Sequence, residues 1–237
     1  GGGGGGGGQS EGGGGGDGEK QTSTDGPTGT QAGGKVTITI GNLTDLTGVG
    51  SEGMRTVNMA LKDIVRYYNE KGLIPNVELK VIEYDTQYEH AKDVPGYEWL
   101  RQRGAQLIFT PVPPSTITLK AKASGDHVPV FGCSLPAEEA LPPGYVFCVG
   151  LVPEYEAYTF LQWIAENDPD FPKDRPARVG GAGWNDAYTP AFFKAAEAYC
   201  KKHPDKFELV GGFLTNFSLS WEAESGALKD ADYVVPP

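Results

Sequence analysis

Two hydroxyl side chains follow a short apolar run in the segment LIFTPVPPSTITLK at 107–120. The apolar run ends at Thr110, and the three prolines before Ser115 prevent a strand from continuing. Ser115 falls where a helix N-cap is expected, and Thr116 follows it. Because the free N–H groups of a helix start hold a carboxylate well, this pattern predicts one half of a cup for a small polar ligand. The alternative is that Ser115 is only a helix cap.

Residue patterns typical of catalysis are missing from the chain. The three histidines have no triad partners at predicted strand ends, and no G-x-S-x-G, P-loop or G-x-G-x-x-G motif occurs. The three cysteines form no CxxC pair and have no histidine at ligand spacing, so a metal site is not expected. We therefore expect neither catalysis nor a cofactor. Either Cys133 and Cys148 form a disulfide, or all three cysteines are separate thiols.

The net charge of the chain disfavours one class of partner, and the composition of its first residues predicts a linker. The formal net charge of −11 disfavours nucleic acid, because an acidic protein repels phosphates. Residues 1–34 hold 18 of the 35 glycines and predict a disordered linker, since such a stretch buries little apolar area. This linker is either a tether that holds a domain off a surface or a remnant of cloning or gene calling.

Strands and helices alternate after this linker. Apolar residues at Met54, Val57, Leu61 and Ile64 have helical spacing. In residues 35–150 we expect strands at 35–42, 77–85, 105–110, 128–133 and 145–150, with helices at about 54–71, 91–103 and 115–124. This order predicts a parallel sheet with helices on both faces.

A second series of the same kind occupies residues 151–237. We expect helices at 153–168, 186–203 and 220–230 and strands at 177–184, 207–214 and 231–235. The fold class is therefore α/β, with two Rossmann-like lobes. The second lobe is expected to be incomplete, because the chain stops directly after a strand, and the chain is expected to be truncated.

Several of these segments resemble the type I periplasmic binding proteins of the branched-chain amino-acid class. The resemblance lies in the order and spacing of motifs over residues 36–235. These are IGNLTDLTGVGSEGMRTVNMALKDIVRYYNEKG at 40–72, VELKVIEYDTQYEHAK at 77–92, VPVFGCS at 128–134, YVFCVG at 145–150, GWNDAYTPAFFKAAEAY at 183–199 and FSLSWEAESGALKDADYVV at 217–235. The family implies two lobes joined by a hinge that close over a ligand.

The resemblance also implies a set of ligand-binding residues. Ser115, with Thr116, matches the hydroxyl that binds the ligand carboxylate, and Ser134 lies in the matching loop after the fourth strand. Tyr188 matches a tyrosine that covers the ligand from the second lobe, and Tyr155 is expected to face the cleft. Asp186, by contrast, is expected to cap a helix.

Two departures from the family pattern affect this site. Leu135-Pro136 stands where members often have Ala-Thr, and Thr189 stands where glycine is usual. Together with the aromatic residues of the region, the first departure points to a solute outside the ordinary amino-acid set.

The resemblance implies the solute-binding subunit of an ABC importer, outside the cytoplasm and lipid-anchored. Its partners would be an ABC permease and a small solute, such as an amino acid, an amide or an aromatic acid. A sensor or receptor ectodomain with the same fold is the main alternative. An enzyme on an α/β scaffold is a third, although no placed nucleophile and histidine support it.

Overall fold

The computed structural model describes residues 34–236, and the linker predicted for 1–34 lies almost entirely outside them. Five parallel strands form the first sheet in the order β2-β1-β3-β4-β5. They are β1 Val36–Thr44, β2 Val77–Asp85, β3 Ala105–Thr110, β4 Val130–Ser134 and β5 Val146–Leu151. The helices between them are α1 Ser51–Lys71, α2 Asp93–Gln102 and α3 Pro113–Asp126, with a 3-10 turn at His90–Lys92 before α2.

A second, smaller sheet follows in the order β7-β6-β8, also parallel. Its strands are β6 Ala177–Trp184, β7 Phe207–Thr215 and β8 Tyr233–Val235. Its helices are α4 Pro153–Asn167, α5 Thr189–Lys202 and α6 Glu222–Ala227. The prediction of an α/β fold with two parallel sheets is confirmed.

Helices cover both faces of the first sheet. A Cβ on Gly41 would lie 3.1 Å from the Cβ of Leu100 on α2, so residue 41 faces α2. The next residue, Asn42, donates a hydrogen bond to Asn58 on α1 at 2.8 Å. Because successive residues of a strand point to opposite faces, α1 and α2 lie on opposite sides of the sheet.

Each sheet has its own apolar core. Leu100, Ile108 and Leu119 are among the fully buried side chains of the first core. Leu161 and Ile164 of α4 pack with Phe192 of α5 in the second core. The chain thus passes from one core to the other between β5 and α4, and the division of domains between residues 150 and 151 stays a prediction.

The start of α3 corrects one sequence prediction. The helix begins at Pro113, with Val112 at the N-cap in an extended conformation. Proline fits this position, because the first N–H groups of a helix need no intrahelical partner. Ser115 therefore lies inside the first turn, and its predicted N-cap position is wrong.

No helix within residues 34–236 combines the length and apolar character needed to cross a membrane.

Candidate functional site

A cavity of about 590 Å³ lies between the carboxyl ends of the two sheets. We call it the inter-sheet cleft. Gly50, Tyr88, Pro113 and Ser134 line it from the first sheet, and Trp184 and Tyr188 line it from the second. Ligands of parallel α/β sheets bind beyond the carboxyl ends of strands, so this is the place where a ligand site is expected.

The loop after β1 is fixed by two aspartates. The Asp45 carboxylate accepts the N–H groups of Gly48 at 2.5 Å and Gly50 at 2.8 Å. The Asp85 carboxylate accepts the N–H of Leu46 at 2.8 Å and the Thr47 hydroxyl at 2.6 Å. Although burial acts to raise the pKa of Asp85, these and neighbouring hydrogen bonds hold it below its ordinary value. The loop is thereby held with Gly50, at the start of α1, facing the cleft.

Tyr88 enters the cleft through an unusual backbone turn. Gln87 and Tyr88 both have positive φ, at 55° and 59°, which is uncommon for residues with side chains. A Cβ at Gly48 would lie 2.3 Å from the Gln87 carbonyl oxygen, so only glycine fits at position 48. Left-handed residues of this kind concentrate at ligand sites. Sequence reasoning missed Tyr88, since nothing local marks this turn.

Tyr88 and Trp184 form an aromatic wall of the cleft, and Phe217 packs against both, so that the three rings join the two sheets. The Tyr88 ring lies 5.2 Å from Phe217 and 6.3 Å from Trp184, and Trp184 lies 5.3 Å from Phe217, measured between ring centroids. The Trp184 indole N–H donates to the Ser218 carbonyl oxygen at 3.0 Å, which fixes the orientation of that ring. Edge-to-face rings at these distances attract beyond their buried area.

Asp186 connects this wall to the start of α5. Its Oδ1 accepts the N–H groups of Tyr188 at 2.9 Å and Thr189 at 3.0 Å. The N-cap of α5 is Tyr188, so the cap position predicted for Asp186 is wrong, and its carboxylate instead holds the turn that leads into the helix. Its Oδ2 lies 3.5 Å from the donating Tyr88 hydroxyl. Burial raises the pKa of Asp186, against the opposing effect of its hydrogen bonds with Thr189 and Tyr88.

Ser134 presents an unsatisfied hydroxyl at the cleft. The residue is 5% exposed, and its Oγ has no hydrogen-bond partner among the described residues. The Thr116 hydroxyl lies 3.0 Å from the Ser134 carbonyl oxygen and 2.6 Å from the Pro113 carbonyl oxygen. Thr116 therefore joins the start of α3 to the end of β4, on which Ser134 lies.

Ser115 and Thr116 are fully buried and do not line the cleft. The Ser115 hydroxyl donates to Oδ1 of Asp93 at 2.7 Å, which links the first turn of α3 to the start of α2. Burial raises the pKa of Asp93, and the hydrogen bond from Ser115 opposes that effect. The ligand contacts predicted for these two residues stay predictions.

The two predicted tyrosines lie in different surroundings. Tyr188 lines the cleft, and its ring stacks on Phe192 at 6.3 Å. Tyr155 is 62% exposed on α4 and lines a separate surface depression of about 460 Å³ with Phe160. The structure thus brings Ser134 and Tyr188 to the inter-sheet cleft and leaves Tyr155 beside it.

Glu156 is a cleft residue that sequence reasoning missed. It lies in the first turn of α4, and its Oε2 is buried without a hydrogen-bond partner among the described residues. Burial raises its pKa. Its position directly after the crossover between the sheets was the available signal.

Neither a metal site nor a disulfide is found in the described part of the chain. No group of three potential metal-ligating side chains occurs within residues 34–236. Of the two alternatives for Cys133 and Cys148, the structure has separate thiols, and Cys133 lines the cleft. A second cavity of about 590 Å³ lies against β6 and α6, and none of the predicted site residues lines it.

Comparisons with known proteins agree with this architecture. A family model described as "Periplasmic binding protein" matches residues 37–218. No curated protein sequence matches the chain.

Solved structures share the fold at low sequence identity. A branched-chain amino acid ABC transporter protein from Thermus thermophilus with bound valine superposes with a TM-score of 0.71 at 19% identity, over 86% of this chain and 53% of its own. A fatty acid ABC transporter substrate-binding protein from Thermomonospora curvata gives 0.70 at 18%, over 88% and 53%. An extracellular ligand-binding receptor from Rhodopseudomonas palustris HaA2 gives 0.60 at 17%, over 84% and 54%. The chain spans about half the length of each of these structures.

Proposed function

Because the chain belongs to the periplasmic binding protein family, we propose that it is the extracytoplasmic solute-binding subunit of an ABC importer. It binds a small amino-acid-like or carboxylate solute between its two sheets and delivers it to a membrane permease. Its place is the periplasm or the outer face of the membrane, where a lipid anchor would hold it. It carries out no chemistry on the solute.

One observation supports this proposal above the others. The inter-sheet cleft is bounded by strand ends and helix starts of both sheets, as Ser134 and Tyr188 illustrate. Its volume of about 590 Å³ suits a small organic molecule. A site shared by two bodies couples ligand binding to closure, which is how a binding protein reports its occupancy to a partner.

We propose different roles for the five predicted site residues. Ser134 and Tyr188 contact the solute, since both line the cleft. Thr116 positions Ser134 through the carbonyl oxygen of that residue, and Ser115 positions α3 through Asp93. Tyr155 contributes at most from the rim of the cleft.

The similar structures bind different kinds of solute, so they give only general support for a small organic solute. One of them carries valine, and another is described as a fatty acid binding subunit of a transporter. Because their sequence identity to this chain is low, both structures support its fold and not the identity of its solute. A receptor role is the second candidate, and the similar Rhodopseudomonas palustris structure described as a receptor favours it.

Isothermal titration of the full chain tests the binding function. The panel contains the common amino acids, their amides and small aromatic acids. We expect one solute class to bind to the wild type and to lose affinity in Ser134→Ala and Tyr188→Ala. Tyr67→Ala on α1, which removes an exposed ring away from the cleft, is the control and should bind normally. A well-folded protein that binds nothing in the panel would contradict the proposal.

Uptake measurements separate the importer from the receptor. Cells that lack the gene should lose uptake of the identified radiolabelled solute, and restoring the wild type should recover it. Normal uptake in those cells, together with loss of a response to the solute, would favour the receptor.

A further inference from the structure

The charged side chains at the inter-sheet cleft are all of one sign. Glu52, Glu156 and Asp186 line it, and among the described lining residues there is no lysine, arginine or histidine. A solute with only a negative group would meet three carboxylates and no countercharge. A positively charged group would be attracted.

Two of the three carboxylates are already engaged or open to solvent. Asp186 accepts hydrogen bonds from Tyr188, Thr189 and Tyr88. Glu52 is exposed at the start of α1, with Arg55 at 3.9 Å. Glu156 differs from both, because its Oε2 is buried and has no partner among the described residues.

An unpaired buried carboxylate oxygen is costly, and a donor on a bound solute would remove that cost. The Ser134 hydroxyl is a second unpaired polar atom of the same cleft. The rings of Trp184 and Tyr188 line it as well, and aromatic faces attract cations. A carboxylate, a hydroxyl and aromatic rings together are the groups that recognise an ammonium.

We infer that the solute carries a protonated amine and that the Glu156 carboxylate accepts its N–H groups. This inference rests on the proposed function and narrows its solute class. Gly50 and Pro113, at the starts of α1 and α3, also line the cleft, and the partial positive charge of helix starts suits an acid group on the same molecule. An acid without the amine would leave Glu156 unpaired.

A purely structural role for Glu156 has a different consequence. A glutamate in the first turn of α4 stabilises that helix through its dipole. Replacing it would then lower stability and leave the choice between amines and acids unchanged. The ratio of the affinities for an amine and for its matching acid therefore decides between a solute contact and a purely structural role of Glu156.

Matched sets of compounds and a matched pair of variants test the inference by titration of the full chain. One set is L-leucine, isopentylamine and isocaproate, and the other is L-phenylalanine, phenethylamine and hydrocinnamate. The variants are Glu156→Gln and, as the control, Glu166→Gln, which changes an exposed glutamate of the same helix outside the cleft.

We expect an amino acid or amine to bind at least about tenfold more tightly than the acid of its set. Glu156→Gln should weaken the amine-bearing compound by about tenfold or more and leave the acid unchanged, whereas Glu166→Gln should match the wild type. If an acid binds as tightly as its amine, or if Glu156→Gln keeps wild-type selectivity, the inference is overturned while the binding function stands. If no compound of either set binds while another amine-free solute of the wider panel does, the inference is overturned and the binding function stands; if nothing in the wider panel binds, both fail.

Discussion

The hydroxyl of Tyr88 lies 3.5 Å from the carboxylate of Asp186, and this contact joins the two sheets across the mouth of the cleft. Tyr88 follows β2 of the first sheet, and Asp186 follows β6 of the second. Burial, together with the nearby Asp186 charge, raises the pKa of Tyr88, so the tyrosine stays a neutral donor. The aromatic contacts with Trp184 and Phe217 reinforce the same junction.

Removing only this hydroxyl should loosen the junction slightly. In Tyr88→Phe the ring contacts remain and one long hydrogen bond is lost, so we expect the free energy of unfolding to fall by about 0.5 kcal/mol. Tyr88→Ala also removes a ring that is 8% exposed and should cost about 3 kcal/mol. Urea unfolding monitored by tryptophan fluorescence measures both.

The exposed Tyr67 provides the control for these variants. Tyr67→Phe changes the same hydroxyl on a residue that is 49% exposed and should leave the unfolding midpoint unchanged. Equal stability of Tyr88→Ala and the wild type would contradict the view that this residue joins the sheets.

Ser115 should matter more for stability than for solute contact. Ser115→Ala removes the donor to Asp93, whose other carboxylate oxygen already lacks a hydrogen bond among the described residues. Because a buried carboxylate loses its hydrogen-bond donor and keeps only the His90 Nδ1 at 3.7 Å, we expect a loss of about 2 kcal/mol in the free energy of unfolding. Chemical denaturation measures this loss. Titration of Ser115→Ala with a solute that binds to the wild type should give an affinity near that of the wild type.

Ser220→Ala, at an exposed serine before α6, is the control and should be neutral. The opposite result for Ser115→Ala, with affinity lost and stability kept, would support the direct carboxylate contact that the family resemblance implies.

The sequence predicted the order of the elements well because periodicity reflects burial directly. The run AQLIFT became β3, and ARVGGAGW became β6 at its predicted bounds. Starts of helices were less certain. The sequence predicts the start of α3 two residues too late, because Pro113 and Pro114 are typical of a loop although the first helical turn also accepts proline.

The composition of the site was harder to predict, because it depends on contacts between distant residues. Ser115 has the right chemistry for a ligand, but its partner Asp93 comes 22 residues earlier in the chain. Glu156 is one glutamate among several on α4, and only packing leaves its Oε2 without a partner. Tyr88 reaches the cleft through a left-handed turn, and this turn is possible because Gly48 has no side chain to clash with the Gln87 carbonyl oxygen.

The pairing of Asp232 with Arg175 predicts a dependence of stability on acid pH. The arginine donates two hydrogen bonds at 2.6 and 2.7 Å, and the Arg178 N–H adds a third at 2.7 Å. The Arg175 bond and then the Arg178 N–H lower the pKa of Asp232 from 3.8 to about 2. Since the pKa is lower in the folded state, this stabilisation is present above the ordinary value and is lost as the pH falls from 3.8 toward about 2.

Comparing the wild type with Asp232→Asn isolates this effect from the other carboxylates. We expect the stability difference between them to shrink as the pH falls through that window, as thermal unfolding at a series of pH values would show. Asp205→Asn, at an exposed aspartate before β7, should give a difference that stays near zero. A difference for Asp232→Asn that is constant from neutral pH to pH 2 would rule out the linkage.

Close packing between β4 and α3 gives the last prediction. A Cβ added at Gly132 would lie 1.9 Å from the Cγ2 methyl of Thr116, and Thr116 is fully buried. Gly132→Ala should therefore lower the free energy of unfolding by about 2 kcal/mol through overpacking. Because Thr116 also contacts the Ser134 carbonyl oxygen, solute affinity should fall as the end of β4 shifts.

The double variant Gly132→Ala with Thr116→Ser should recover much of this loss. Serine removes the clashing methyl and keeps the hydroxyl that lies 3.0 Å from the Ser134 carbonyl oxygen. We expect the two changes to be coupled, so that the double variant is more stable than the sum of the single changes predicts, as urea unfolding of all four proteins would measure. Strict additivity would show that the backbone of β4, rather than the Thr116 methyl, limits what residue 132 can be.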